Sequence, residues 1–397
     1  MLVRWSRLVG ESKVVVMRGV SAWRWAAAAV VLTAGAGVCA PLPVASAAAP
    51  GTVIAVIPQA DGFHGMNGAQ VVEYWTHGVA GEPQPASGAL YLPPGDAPAG
   101  GWPVVAFDHG TTGLGAGCGG QSDPAGAPWP ESQAAQDEFL RHLVAQGYAV
   151  VAPDYLGLGR FDTGPHPYLG IDTEATATLD LLRAARSVRP DLSPVWVAAG
   201  MSQGGQAALG TGHRQSSYAP ELDFRGTIAI DPESDVEKVA PLLGPGNPDR
   251  VSGGILGFSV SILAGLRAAR PDAQVDSYLS PLGRRILDEI GTLCQDAIDE
   301  RVAELTLGQL LTRSLGEEPL RSVMADYMTV PTSGYDAPIL LLVNATDRTV
   351  PSPLHAALAA QFTANGVDYT PVVGTGKHCE LNPAMIAAID DFLARAR

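Results

Sequence analysis

Ser202 stands between two glycines in Gly200-Met201-Ser202-Gln203-Gly204, directly after the apolar run Val195 to Ala199. A serine held at a tight strand-to-helix turn can present its hydroxyl as a nucleophile, and the flanking glycines let the backbone close up around it. The amide of the next residue, Gln203, would then face the oxygen of an attacked carbonyl. Such a serine needs a base, and the base needs a third group to orient it. Both residue types follow along the chain, each after an apolar run. Asp347 comes after Pro338 to Val343, and His378 after Tyr369 to Val373. Asp231, after Gly226 to Ile230, competes with Asp347 for the orienting role. Asp154, after Val150 to Pro153, precedes the serine and reads as a turn-former. In a chain with 46 glycines the pentapeptide alone is a weak signal. Serine, acid and histidine in that order, each at the end of an apolar run, make a far stronger one.

Acyl chemistry also needs a second amide to hold the oxyanion. Val104 to Phe107 reads as a strand, followed by Asp108-His109-Gly110-Thr111-Thr112-Gly113. The His-Gly step lets the backbone turn sharply, so the next amides face the pocket. Thr111 is the favoured donor and Gly110 the fallback. His109, upstream of the serine turn, reads as a structural hydrogen-bonder.

The elements that must position these residues alternate. Ala89 to Leu92 and Trp102 to Phe107 read as early strands, separated by the turn Pro93-Pro94-Gly95-Asp96. Gln133 to Gln146 and Thr173 to Arg186 have helical spacing and flank a strand at Tyr148 to Ala152. That pattern predicts an α/β protein, a mostly parallel sheet flanked by helices, with chemistry at the strands' carboxyl ends. With the serine turn it predicts an α/β-hydrolase fold. From about Pro232 to Val330 the pattern turns helical, with Arg284 to Ile298 and Arg301 to Leu311 as helices and no convincing strand. Pro331 to Gly334 reads as a linker back to the core, and Leu381 to Ala396 as a closing helix.

Several motifs in register carry a resemblance: His109-Gly110-Thr111-Thr112-Gly113, Ala152-Pro153-Asp154-Tyr155-Leu156-Gly157-Leu158-Gly159, His166-Pro167-Tyr168-Leu169 and Ser202-Gln203-Gly204-Gly205. From about Val71 to the C-terminus the chain resembles the secretory lipase family. The resemblance implies a lipase or carboxylesterase acting on acylglycerols or other esters, with a helical cap inserted after the sixth core strand. It places the catalytic serine, aspartate and histidine on Ser202, Asp347 and His378, in agreement with the reading of the residues. Met201 departs from the family, which more often has an aromatic residue or histidine there. The resemblance also suggests, in part, a disulfide between Cys118 and Cys294, which would tether the cap to the rim of the site. Cys379 would be left as the odd thiol.

Composition fits an exported enzyme. The formal charge of −15, from 25 basic and 40 acidic side chains, argues against nucleic acid and against electrostatic docking to anionic membranes. Arg18 and Arg24 precede an alanine-rich apolar stretch, and Ala45-Ser46-Ala47 suits a signal peptidase, with Met17 as an alternative start. That stretch is short against the ~20 residues of a span, so no membrane anchor is expected after cleavage. Val38 before Cys39 disfavours a lipoprotein. The expected organisation is a signal peptide over residues 1–48, core over 49–231, cap over 232–330 and core again over 331–397. The expected partner is a small-molecule ester or lipid. No Cys/His grouping has metal-ligand spacing and no phosphate loop occurs, so no cofactor is expected. A peptidase, an acyltransferase or a non-catalytic binding protein on the same fold are the alternatives.

Overall fold

The computed structural model describes residues 48–123, 130–247 and 253–397. The expected signal peptide, with Met17 and Cys39, therefore lies outside the described residues apart from Ala48. The sheet has nine strands: β1 (Val53–Pro58), β2 (Gln70–His77), β3 (Pro83–Tyr91), β4 (Trp102–Asp108), β5 (Ala149–Pro153), β6 (Leu192–Met201), β7 (Asp223–Ile230), β8 (Ile339–Asn344) and β9 (Tyr369–Gly374). Their order is β1-β2-β3-β5-β4-β6-β7-β8-β9. The β1, β2 and β3 pairings are antiparallel, and every pairing from β5 across to β9 is parallel.

A parallel sheet is buried on both faces, so alternate residues of one strand serve opposite layers. Val105 and Phe107 of β4 pack with Phe139, Leu140, Ile389 and Phe392. These come from helix α1 (Pro130–Ala145) and from the C-terminal helix (Pro383–Ala396), whose start is capped by Asn382 accepting the Ala384 and Met385 amides. Val104 and Ala106 face the other way, against α2 (Ile171–Val188) and α3 (Gln203–Tyr218), through Leu179, Leu182 and Ala208. The helices expected over Gln133 to Gln146, Thr173 to Arg186 and Leu381 to Ala396, and the strands around the serine, are present to within a few residues. β1 and β2, which the sequence pattern did not reveal, extend the sheet at its antiparallel edge.

Between β7 and β8 the chain leaves the sheet and forms α4 (Val236–Val239), α5 (Gly253–Ala269), α6 (Pro281–Ile290), α7 (Gln295–Val302), α8 (Leu307–Leu310) and α9 (Leu320–Met328). Left aside β1, this insertion follows the sixth strand. It has its own core, including Leu263, Tyr278, Ile286, Ile298 and Met324, which also packs against Leu114, Tyr168 and Leu169 from the sheet's loops. After β8 the fold closes with α10 (Ser352–Ala364), β9 and the C-terminal helix α11.

Two expectations need correction here. Arg284 to Ile298 is not one helix: α6 ends at Ile290 and α7 starts at Gln295. The chain breaks because it is drawn onto the loop after β4. Leu293 O accepts from Leu114 N, Gln295 N donates to Thr112 O, and Gly113 bridges Cys294. Arg301 to Leu311 is likewise divided, with α8 starting afresh at a capping box in which Thr306 accepts from the Gln309 amide. Among the described residues no helix is long and apolar enough to cross a membrane.

Candidate active site

β6 ends on Met201, and Ser202 follows with φ +57° before α3 begins. A left-handed serine is a strained backbone, tolerated because its surroundings leave no other path. The Ser202 amide is tied to Ile230 O at 2.9 Å. A Cβ on Gly200 would lie 2.0 Å from Gly204 O, and one on Gly204 would lie 1.9 Å from Asp108 O. The two glycines are thus demanded by contact across the turn. Below it, Gln203 Nε2 donates to Glu174 Oε1 and reaches His166 Nε2, both at 2.7 Å, and Gln206 Nε2 donates to Met328 O in the insertion.

The structure brings Ser202, His378 and Asp347 together from three loops. Ser202 Oγ lies 2.8 Å from His378 Nε2, and His378 Nδ1 lies 2.6 Å from Asp347 Oδ2. A carboxylate only accepts, so this contact puts the proton on Nδ1 and leaves Nε2 free to accept from the serine. Burial disfavours the charged form of His378. Against that stand Cys379 and the Asp347 carboxylate, and together they raise the pKa. Burial also pushes the Cys379 thiol up, so it is uncharged at neutral pH, and the carboxylate is the neighbour that supplies negative charge there. Asp347 is held well below the usual carboxylate range: burial works against this, and hydrogen bonds from His355, then His378, prevail. Its Oδ1 accepts from the Thr349 and Val350 amides.

Asp231, the competing acid, is used otherwise. Its carboxylate accepts from Asn344 N, Asn344 Nδ2 and Cys379 N, each at 2.7 Å. Asn344 Oδ1 in turn accepts from Gly376 N. Asp231 and Asn344 thereby fix both ends of the loop that carries His378. Asp154 does not form a turn. It is buried, and accepts from Ser87 Oγ and from the Gln121 and Ser122 amides. His109 is buried within reach of the Gly110 and Asp154 carbonyls.

Of the oxyanion candidates, Gly110 already donates its amide to Gln136 Oε1 at 3.1 Å. Thr111 and Gly110 line a cavity of about 540 Å³ together with Ser202, Met201 and His378. Gln203 opens α3, so its amide sits at a helix N-terminus, where backbone N–H groups favour negative charge. Cys118 and Cys294 are bonded, with Cα atoms 5.3 Å apart, and Cys379 is free.

Two residues escaped the sequence reading. His355 of α10 is buried and donates from Nε2 to Asp347 Oδ2 at 3.1 Å, the same oxygen that takes His378. Glu233, two residues beyond Asp231, is buried with Oε1 3.3 Å from Ser202 Oγ. Burial pushes its pKa up to about 7. The signal for Glu233 was its place at the carboxyl end of β7. Glu233 also lines a second cavity of about 410 Å³ whose walls are otherwise mostly apolar, among them Val236, Leu243, Ile262, Leu263 and Met324. Phe258 and Thr349 border both cavities.

A model of the family described as secretory lipase matches residues 131–395. A "Probable inactive lipase" of Mycobacterium tuberculosis is 26% identical over 246 residues, 58% of this chain. The match spans 51% of that relative, so the chain covers about half the length of the curated relative it matches. Among solved structures, a rice cell wall degrading esterase LipA from Xanthomonas oryzae superposes with a TM-score of 0.70 at 23% identity, covering 88% of this chain and 100% of that one. Candida antarctica lipase A gives 0.66 at 20% identity, covering 83% and 78%.

Proposed function

The chain belongs to the secretory lipase family, and on that premise we propose that it is a secreted serine hydrolase of carboxylic esters that works through an acyl-enzyme. The observation that carries the reading is the hydrogen-bonded line Ser202 Oγ, His378 Nε2, His378 Nδ1, Asp347 Oδ2, with steps of 2.8 and 2.6 Å. His378 takes the proton of Ser202 as the oxygen attacks the ester carbonyl, and returns it to the leaving alcohol. Asp347 keeps the imidazole in the tautomer whose Nε2 accepts, and stabilises the charged ring that forms. The amides of Gln203 and Thr111 hold the oxyanion, each worth ~3 kcal/mol by analogy with measured donors. Gly110, with its amide engaged by Gln136, shapes that loop. Water then repeats the attack on the acyl-enzyme.

The apolar cavity lined by Glu233, which shares Phe258 and Thr349 with the cavity at the serine, supports an acyl ester as the substrate, since burying each methylene of a chain there contributes ~0.8 kcal/mol. The insertion over residues 232–330 serves as the cap that supplies most of its wall. Export through the leader accords with the family's description.

Ser202→Ala should abolish hydrolysis of p-nitrophenyl esters, and labelling by a fluorophosphonate, in a protein that remains folded by circular dichroism. An active variant would sink the assignment, and so would a native protein that the probe fails to label. A series of esters from acetate to palmitate identifies the acyl length that the cavity accepts.

A further inference from the structure

Glu233 meets Ser202 twice. Its amide donates to Ser202 O at 3.2 Å, and its Oε1 lies 3.3 Å from Ser202 Oγ. The same Oε1 accepts from Tyr168 OH at 3.0 Å and lies 3.4 Å from Thr111 Oγ1, while Tyr168 OH and Thr111 Oγ1 are 2.8 Å apart. Three hydroxyls therefore converge on one buried carboxyl oxygen. The mechanism above uses none of this.

From these contacts we infer that Glu233 is a positioning residue that competes with His378 for the Ser202 hydroxyl: when neutral it leaves the serine proton to His378, and when ionised it draws that proton toward itself and holds the serine unproductively. An ionised carboxylate can only accept, so all three hydroxyls turn toward it. A protonated one must donate its own hydrogen into the cluster, and Ser202 is then free to donate to His378. The negative charge has a second effect. It favours the protonated imidazole of His378, a form that cannot act as base.

The groups facing Glu233 come from several elements. Tyr168, before α2, favours the ionised form through its hydrogen bond, as does His378 when charged. Glu174, in the first turn of α2, opposes it. Across the serine, Asp299 of α7 with Lys377 and Glu380 line the larger cavity. Burial outweighs the favourable contacts and brings the group to about 7, so both forms are populated near neutral pH. Glu233 is also the one ionisable group among the described residues lining the apolar cavity. An acyl chain seated there removes water from it and favours the neutral, productive form.

This inference rests on the proposed ester hydrolysis. The test is kcat/KM for p-nitrophenyl butyrate, with the rate of fluorophosphonate labelling beside it, from about pH 5 to about pH 9, on the full chain and on Glu233→Gln and Tyr168→Phe. His378, whose own pKa is raised, gains base character with rising pH in native and variant alike, so the native rates are read against Glu233→Gln, which cannot ionise there: the native-to-variant ratio should fall in an alkaline limb as the pH passes about 7. The ratio of rates at high to neutral pH in Glu233→Gln should exceed the native one at least about fivefold. Tyr168→Phe keeps the carboxyl but loses a donor to its ionised form, so the limb should move to higher pH; this variant decides the matter if Glu233→Gln does not fold. Superimposable profiles in active proteins overturn the inference alone, as does a folded Glu233→Gln that is unlabelled at every pH. A native protein that neither hydrolyses esters nor takes the label overturns the proposed function and this inference with it.

Discussion

Asp347 receives two imidazoles on one oxygen, and the less conspicuous of them has a consequence for both rate and stability. His355 Nδ1 has no partner among the described residues, so the ring is set by its Nε2, which donates to Asp347 Oδ2 and lies 3.6 Å from Asp231 Oδ1. His355→Phe should lower kcat by about tenfold or more, the kinetic equivalent of losing a hydrogen bond to a charged group. It should also cost about 1.5–3 kcal/mol of stability. The sign of its pH dependence follows from Asp347. The folded-state pKa of this group is depressed, so its stabilisation is complete above the unfolded value of about 4 and is lost as the pH falls through the depressed one. The Tm gap between native and variant should thus narrow as the pH is taken from about 5 to about 2. A gap independent of pH would show that His355 acts through packing alone. Ser202, Asp347 and His378 were legible in the sequence because each closely follows an apolar run that forms a strand. His355 and Glu233 were not, because one lies mid-helix and the other past a strand end already claimed by Asp231. Their meaning appears only when α10 and β7 stand beside the serine.

The element that best explains the site's shape is the break between α6 and α7. Periodicity reads Arg284 to Ile298 as continuous helix because it registers the spacing of apolar residues and is blind to partners distant in the chain. Here those partners are Leu114, Thr112 and Gly113, which take up the backbone groups a helix would otherwise have used. α5 escaped notice for a different reason. It is apolar nearly all round, so no polar stripe marks its turns. β2 escaped because it carries Gln70, Glu73, Thr76 and His77, and the buried Asp180 that accepts from Thr76 at 2.9 Å exists only once α2 is in place. At the broken helix the Cys118–Cys294 bond spans a separation of 176 residues. Replacing both cysteines by serine should lower stability by about 2–5 kcal/mol, as chain-entropy arguments give for long loops. Because Cys294 is bridged to Gly113 beside Thr111, kcat should fall as well. Thermal unfolding and ester turnover, each with and without reductant on the native chain, check both parts, and an unchanged kcat would dissociate the bond from the oxyanion loop.

On the scale of the molecule, a nine-stranded sheet positions Ser202, Asp347 and His378, and a helical insertion supplies most of the wall of the apolar cavity that Glu233 lines. The proposed division of labour makes substrate length a property of the insertion. Ile262 of α5 lines the cavity and touches neither Ser202 nor His378 in any hydrogen bond. Ile262→Trp should fill part of the volume, and kcat/KM for decanoate should fall at least about tenfold more than for butyrate, the discrimination expected of one or two lost methylene sites. Equal losses for both esters would place the acyl chain elsewhere.

The disulfide has a topological effect separate from its energy. With Cys118 joined to Cys294, the polypeptide between them is a closed covalent ring, and Ser202 and Glu233 both lie within it. A single cut by a protease anywhere in that ring opens it and still leaves one molecule, because the Cys118–Cys294 bond holds the two pieces together and the serine stays attached through its uncut arm.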